Sequence, residues 1–143
     1  MIVKIINRSS NKLPKYQTTG SSGMDLCAFI DAPYVLKPME RFLVPTGIYL
    51  EIPSGFEIQI RARSGLSIKH GITLINAIGT IDSDYRGEIR VPLINLSNEE
   101  YTLQNGDRIA QMILSKYEII KWEEVDYLEE SDRNMGGFGH TGR

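Results

Sequence analysis

The sequence predicts an all-β fold, arranged as a β-sandwich or a β-barrel. Short β-branched and apolar runs recur along the chain, and clusters of Gly, Pro, Asn and Asp separate them. The clearest alternation lies at 56–63, where every second residue is apolar. The 143 residues suffice for one domain with a buried core, which we place at 1–130, ahead of a distinct tail at 131–143.

The strands are predicted from their apolar patterns in chain order. They are 2–6, 24–30, 35–36, 42–44, 47–52, 56–63, 72–75, 89–94, 101–103, 109–114 and 119–125. Asn105-Gly106 is a strong signal for a two-residue hairpin that joins the strands at 101–103 and 109–114. One short helix is expected at 64–70, with Ser64 as its N-cap and Gly71 just past its end.

Charge and composition limit the function. A net charge of −2 supplies no basic surface for a nucleic-acid backbone, so any bound anion should be small and held by a few cations. Cys27 is the only cysteine, which excludes an intrachain disulfide. The apolar start of the chain is interrupted by Lys4 and is too short for a signal-peptide core or a membrane span. We expect a cytoplasmic protein that binds neither nucleic acid nor a membrane.

The segment 76–88 is the most unusual part of the chain. It joins two predicted strands and is predicted to form a hairpin whose elaborate turn lies between Gly79 and Gly87. In an extended chain Asp82 and Asp84 would share one face, with Tyr85 on the other. A solvated hairpin tip needs neither two acids nor the aromatic residue, although that simpler interpretation stays open for this stretch alone.

Common catalytic centres are excluded by residue type. His70, His140 and Cys27 cannot supply the usual ligand count of a zinc site, and Cys27 lies in an apolar stretch that suits packing. No serine has a G-x-S-x-G setting, and the glycine-rich tail lacks the Gly-Lys-Ser/Thr of a Walker-A loop.

Several segments suit phosphate binding instead. Arg63-Ser64-Gly65 places a cation and exposed amides at the start of the predicted helix, and Gln111 offers an amide donor. Asp25 lies at a loop-to-strand junction. Each segment has a plainer interpretation: a capped surface helix, an ordinary hairpin arm, and an acid that caps a turn.

The tail at 131–143 holds four glycines and one aromatic residue, so we expect it to be mobile. A frayed terminus is the ordinary interpretation of such a segment. However, Phe138 is isolated between glycines and flanked by Arg133 and Arg143. A lone aromatic on a mobile cationic strip can close over a flat anionic ligand. With the acids and the phosphate donors, it completes the inventory for nucleotide phosphate hydrolysis.

Taken in order, five segments resemble the five motifs of the trimeric dUTP diphosphatases (dUTPases). They are SGMDL at 22–26, RSGLS at 63–67, GTIDSDYRGE at 79–88, GDRIAQ at 106–111 and RNMGGFGHTG at 133–142. The third and fifth are the most specific. The chain departs from the family pattern at Ser22, where Ala is frequent, and at Gly65 and His140, where Ser is common. None of these changes removes a group needed for catalysis.

The resemblance implies a jelly-roll-like, distorted β-barrel or sandwich of the dUTPase-like β-clip type, with one short helix. It also implies a homotrimer with three active sites at subunit interfaces, each closed by the C-terminal arm of one chain. The reaction would convert dUTP to dUMP and pyrophosphate, keeping uracil out of DNA and supplying dUMP for dTTP synthesis.

The same resemblance assigns roles to individual residues. Asp82 would deprotonate the water that attacks the α-phosphorus. Uracil and deoxyribose would be bound by Asn76, Gly79, Thr80, Ile81, Tyr85 and Phe138. The phosphates would be bound by Arg63, Ser64, Gly65, Gln111, Arg133, Gly139 and Thr141. Mg²⁺ would be carried mainly by the triphosphate, without a direct protein ligand. Asp25 would either contact the water shell of the metal or support the site.

Two other functions are weighed against this one. A dCTP deaminase has the same fold, but it needs a glutamate that activates water at the base, and the segment 80–85 has the diphosphatase pattern. A non-catalytic β-sandwich that binds or scaffolds a partner is the alternative from another class. Ammonia release from dCTP would favour the deaminase, and an Asp82→Asn change without effect would favour the scaffold.

Overall fold

The computed structural model describes residues 1–137, and it confirms the all-β prediction. The elements are β1 (Lys4–Asn7), β2 (Met24–Cys27), β3 (Tyr34–Leu36), β4 (Arg41–Glu51), β5 (Phe56–Arg61), α1 (Ser64–His70), β6 (Ile72–Leu74), β7 (Ile78–Ile81), β8 (Ile89–Asn95), β9 (Tyr101–Leu103) and β10 (Arg108–Lys116). The single helix of this part is far too short and polar to cross a membrane.

Two four-stranded antiparallel sheets form a sandwich around one core. The first sheet has the order β1-β4-β8-β6, the second has the order β2-β10-β5-β7, and β3 and β9 form a separate ribbon. The sheets do not close into a barrel. Val44 and Val91 of the first sheet and Leu26 and Ile60 of the second belong to the same buried cluster. The burial of these aliphatic side chains from both sheets holds the layers together.

The alternation at 56–63 has the predicted consequence in β5. Ile58 and Ile60 face the core and are each 2% exposed. On the opposite face the Gln59 side chain donates to Glu57 at 2.7 Å and accepts from the guanidinium of Arg61. One face of the strand is therefore apolar and packed, whereas the other presents a connected polar row.

Three strand predictions are wrong. The segments 42–44 and 47–52 form one strand, β4, whose pairing with β8 shifts register between Pro45 and Ile48. Asn105-Gly106 makes a turn, but β9 pairs with β3, and β10 pairs with β2 and β5. Within residues 1–137, the segment 119–125 forms no strand. In these three places the strands and their partners are determined by tertiary pairing, which local turn and apolar patterns do not specify.

The helix predicted at 64–70 is confirmed at both ends, but its predicted N-cap is wrong. The N-cap position belongs to Arg63, which makes no side-chain capping hydrogen bond, and Ser64 is the first helical residue. Gly71 takes the left-handed conformation at φ 66°, and its N–H donates to the carbonyl of Ser67 at 2.9 Å. A residue past a helix end often needs this conformation, which glycine adopts without strain.

Candidate active site

The hairpin predicted at 76–88 is more complex than one turn. Its flanking strands β6 and β8 pair as expected, but β7 leaves the first sheet and pairs with β5 in the second. Ala77 takes φ 60°, and the N–H of Ile78 donates to the Asn76 carbonyl at 2.6 Å. A Cβ added to Gly79 would lie 3.4 Å from Asn76 Nδ2. The sharp reversal therefore places the Asn76 amide against the backbone of Gly79.

Residues 82–85 form a turn rather than an extended strand. The N–H of Tyr85 donates to the Asp82 carbonyl at 3.1 Å. The guanidinium of Arg86 donates to the carbonyls of Ser83 at 2.7 Å and Tyr85 at 2.8 Å, which closes the turn further. The expectation that Asp82 and Asp84 share one face of an extended chain is therefore wrong, because the extended geometry stops at Ile81. Both carboxylates are exposed.

A pocket of about 290 Å³ opens beside this turn. It is lined by Thr80, Ile81, Asp82 and Tyr85, together with Leu43, Glu88 and Arg90. The last three were missed by the sequence analysis. Arg90 Nε donates to Glu88 Oε2 at 2.7 Å, while Glu88 Oε1 accepts from the N–H of Gly47 at 2.9 Å. For Glu88 and Arg90 the sequence offered two opposite charges two residues apart, whereas nothing local marked Leu43.

A second cluster of polar groups, formed by Asp25, Arg63 and Arg108, lies on the second sheet. Arg63 Nε donates to Asp25 Oδ1 at 2.8 Å, and Arg108 Nη1 donates to Asp25 Oδ2 at 3.2 Å. Arg63 Nη1 also donates to the carbonyl of Arg108 at 3.1 Å. One carboxylate between two guanidiniums leaves a net positive charge. We call this group the Asp25 cluster, and it suits an anionic ligand.

Gln111 lies beside the Asp25 cluster because β10 pairs with both β2 and β5. Gln111 is opposite Asp25 on one side and opposite Arg61 on the other. Its Nε2 donates to the Ala62 carbonyl at 3.0 Å, and a Cβ added to Gly23 would lie 2.7 Å from its Oε1. The amide is therefore packed against Gly23 and fixed in orientation.

Two further residues predicted to bind phosphate, Ser64 and Gly65, follow Arg63 in the chain. Ser64 and Gly65 are exposed at the start of α1, next to Arg63. Cys27 is the last residue of β2 and lies opposite Arg108 of β10. It is half-buried, and burial raises the pKa of its thiol above the ordinary value. A thiol that resists ionisation is a poor nucleophile, so Cys27 remains a packing residue.

The pocket and the Asp25 cluster lie at opposite ends of the same strand pair. Ile81, which precedes Asp82, is opposite Ile58, and Arg63 lies five residues beyond Ile58. At about 3.3 Å per extended residue, the two ends are roughly 17 Å apart. The Arg63 side chain extends further from Asp82, because it reaches Asp25 on β2, on the opposite side of β5 from β7.

The tail is described only in part. Arg133 Nε donates to the carbonyl of Gly136 at 2.7 Å within a turn, and the Arg133 side chain is exposed. Residues 138–143 of the tail predicted to be mobile lie outside the described residues. They include Phe138, Gly139 and Thr141, to which the family resemblance assigns base and phosphate contacts. Across residues 1–137 no group of three His, Cys, Asp or Glu side chains is arranged to hold a metal ion.

A pocket with an exposed carboxylate and a separate, net cationic cluster on a β-sandwich suit a protein that binds a phosphate-bearing ligand. The dUTPase family model matches residues 9–142, and the chain belongs to this family.

Relatives in this family cover the whole chain. The deoxyuridine 5'-triphosphate nucleotidohydrolase of Finegoldia magna is 70% identical and covers 99% of each chain. That of Cytophaga hutchinsonii is 55% identical and covers 99% of this chain and 92% of its own.

Solved structures of phage dUTPases share the fold. A mutant dUTPase of staphylococcal phage 80alpha gives a TM-score of 0.87 at 22% identity, covering 97% of this chain and 98% of its own. A second 80alpha mutant, solved with dUpNHpp, gives 0.85 at 21% identity and covers 99% of each chain. A mutant dUTPase of phage phi11 of S. aureus, described with a structural Mg(II) ion, gives 0.81 at 19% identity, covering 91% of this chain and all of its own.

Proposed function

We propose that this chain hydrolyses dUTP to dUMP and pyrophosphate in sites that several copies build together. Membership of the dUTPase family and the names of the relatives support the substrate. The observation that carries the proposal is the separation of the pocket at Asp82, at the end of β7, from the Asp25 cluster beyond the end of β5. Each part suits a different portion of a nucleoside triphosphate.

The separation supports a shared site. A base must be within hydrogen-bond reach of the attacking water, which must itself contact the α-phosphorus. Arg63 must reach the same phosphate group, but its guanidinium is bound to Asp25 on β2, on the opposite side of β5 from β7 and Asp82. Asp82 of one copy would therefore act beside Arg63 of another. Three copies follow from the family resemblance.

Exposed apolar residues near the C terminus also support association. Between residues 119 and 128, six large apolar side chains are 53–88% exposed in the single chain. They are Ile119, Ile120, Trp122, Val125, Tyr127 and Leu128. Such a concentration of exposed apolar surface is typical of a segment that packs against another chain. The proposed arm at 131–143 would follow this apolar segment, which ends the domain proposed at 1–130.

In the proposed reaction, the Asp82 carboxylate takes a proton from water as the water oxygen attacks the α-phosphorus. The bond from that phosphorus to the bridging oxygen breaks, and pyrophosphate leaves with the electron pair. The base contributes both the proton transfer and the orientation of the water. Asp82 is exposed beside the pocket, so a water can reach it.

Base and sugar recognition would use the reversal at 76–81. Asn76 and the backbone of Gly79, Thr80 and Ile81 would satisfy the polar edge of uracil. A narrow site of this kind rejects thymine by its methyl group, and rejects cytosine because its donors and acceptors are reversed. Tyr85 would pack on deoxyribose where a 2′-hydroxyl would sit, and Phe138 would stack on the base.

Phosphate binding would use the Asp25 cluster and the tail. Arg63, Ser64, Gly65 and Gln111 would hold the α- and β-phosphates, and Arg133, Gly139 and Thr141 would hold the γ-phosphate. When bound, Mg²⁺ neutralises charge and fixes one conformer of the triphosphate. Both Asp25 oxygens accept from guanidiniums, which supports a role in positioning Arg63 over contact with the water shell of the metal.

Pyrophosphate release in the presence of Mg²⁺ tests the function, with dUTP compared with dTTP, dCTP and UTP. We expect release from dUTP alone, and we expect Asp82→Asn to retain dUTP binding while losing most turnover. In the cell this activity would keep uracil out of DNA and supply dUMP for dTTP synthesis. Ammonia release from dCTP would instead identify a deaminase, and a lack of reaction with all four nucleotides would favour a binding protein.

A further inference from the structure

Gly87 lies against the hydroxyl end of the Tyr85 side chain. A Cβ added to Gly87 would lie 2.5 Å from Tyr85 Cζ and 2.9 Å from Cε2, and it would overlap the Tyr85 hydroxyl oxygen. Real Cβ atoms do not approach other atoms so closely. Gly87 has no positive φ, so backbone conformation does not demand glycine at this position. The lack of a side chain serves only to make room for the ring.

The same end of the ring is also held by a hydrogen bond to Glu88. The Tyr85 hydroxyl donates to the backbone carbonyl of Glu88 at 3.0 Å. Glu88 is itself fixed, because its carboxylate accepts from the N–H of Gly47 at 2.9 Å and from Arg90 Nε at 2.7 Å. Only 13% of the Glu88 side chain is exposed. The hydroxyl end of the ring therefore packs against Gly87 and is hydrogen-bonded to the anchored Glu88.

We propose that Gly87 is a positioning residue that sets the discrimination between deoxyribose and ribose through Tyr85. This inference rests on the proposed function, in which Tyr85 excludes the 2′-hydroxyl. The Tyr85 ring lines the pocket beside Asp82, so its tilt determines the space left for the sugar. A methyl group at Gly87 would meet the end of a movable side chain and no backbone atom among the three nearest, so the ring would move while the fold stays.

The test compares Gly87→Ala with Tyr85→Ala and with the double variant, using kcat/KM for dUTP and UTP. Gly20→Ala is the matched control, because a Cβ at Gly20 meets no atom within 4 Å. We expect Gly87→Ala to lower the dUTP preference by about tenfold or more, with little change in Tm. In the Tyr85→Ala background, Gly87→Ala should not lower the preference for dUTP any further, because the ring that the added methyl group would displace is absent.

A crystal structure of Gly87→Ala separates this inference from the proposed function. A displaced Tyr85 ring on an unchanged backbone supports the positioning role, even if the wild-type chain fails to release pyrophosphate from dUTP. An unmoved ring, or an unchanged dUTP preference where Tyr85→Ala lowers it, overturns the inference. If Gly87→Ala fails to fold, folding of the double variant still identifies the ring as the obstacle, and failure of both variants overturns it.

Discussion

Arg63 Nε donates a hydrogen bond of 2.8 Å to Asp25 Oδ1. The bond joins β2, which contains Asp25, to the segment just after β5, which contains Arg63. Their side chains are only 17% and 26% exposed, so solvent screens this pair less than a surface pair. Arg108 Nη1 donates to the other carboxylate oxygen of Asp25, Oδ2, at 3.2 Å. The sequence left open whether Asp25 contacts a metal's water shell or supports the site. These contacts favour support, because they hold the guanidinium of Arg63 in one orientation.

Replacing Asp25 with asparagine should loosen Arg63 without changing the shape of the strand. We expect kcat/KM for dUTP to fall by about 10- to 100-fold, because a misplaced phosphate contact misaligns the reacting atoms. Glu51→Gln is the control, since it breaks the exposed Lys4–Glu51 pair of 2.8 Å, which is remote from the Asp25 cluster. Steady-state kinetics on the three proteins measure the effect. Wild-type kinetics in Asp25→Asn would show that Arg63 needs no such partner.

A shared site can be tested by mixing two inactive chains. If Asp82 of one copy acts beside Arg63 of another, co-expression of Asp82→Asn with Arg63→Ala should recover about a quarter of wild-type activity in randomly mixed oligomers. Each recovered site would combine the intact Asp82 of one variant with the intact Arg63 of the other.

The control for mixing is co-expression of Asp82→Asn with a chain that carries both changes. No pair of chains in that mixture supplies an intact Asp82, so activity should stay at the background. If the first mixture also stayed at background while its chains assembled normally, the site would lie within one chain, contrary to the register of β5 and β7.

Gly71 should be more sensitive to alanine than Gly55, although both have positive φ, at 66° and 83°. A Cβ at Gly71 would lie 2.9 Å from the backbone N of Ser97, whereas one at Gly55 meets nothing within 4 Å. We expect Gly55→Ala to cost about 1 kcal/mol and Gly71→Ala to cost about 3 kcal/mol. Urea unfolding at constant m-value measures both. Equal losses would mean that crowding at Ser97 contributes nothing.

The sequence predicted the fold class because alternation is a local property. The polar and apolar faces of β5 follow from its own residues, and so does the end of α1 at Gly71. Strand pairing was not predictable in the same way. The Asn105-Gly106 turn has the right local chemistry for a hairpin, but β10 pairs with β2 and β5 in a sheet that the turn does not specify.

The site shows the same division between local and tertiary information. Asp82, Tyr85 and Arg63 were identified from the residue types around them, and the family motifs assigned their roles. Leu43, Glu88 and Arg90 line the pocket only because the first sheet lies close to the end of β7. No local sequence pattern predicts that the two sheets meet there. The roughly 17 Å between Asp82 and Arg63 likewise follows from strand register and was invisible in the motif order.

The measurement that tests the central claim most directly is hydrolysis of dUTP in water enriched in ¹⁸O, followed by mass spectrometry of both products. Attack of an Asp82-activated water on the α-phosphorus predicts one ¹⁸O in dUMP and none in pyrophosphate. Label in pyrophosphate would place the attack on the β-phosphorus and contradict the mechanism. Absence of both products in the presence of Mg²⁺ would contradict the proposed function itself.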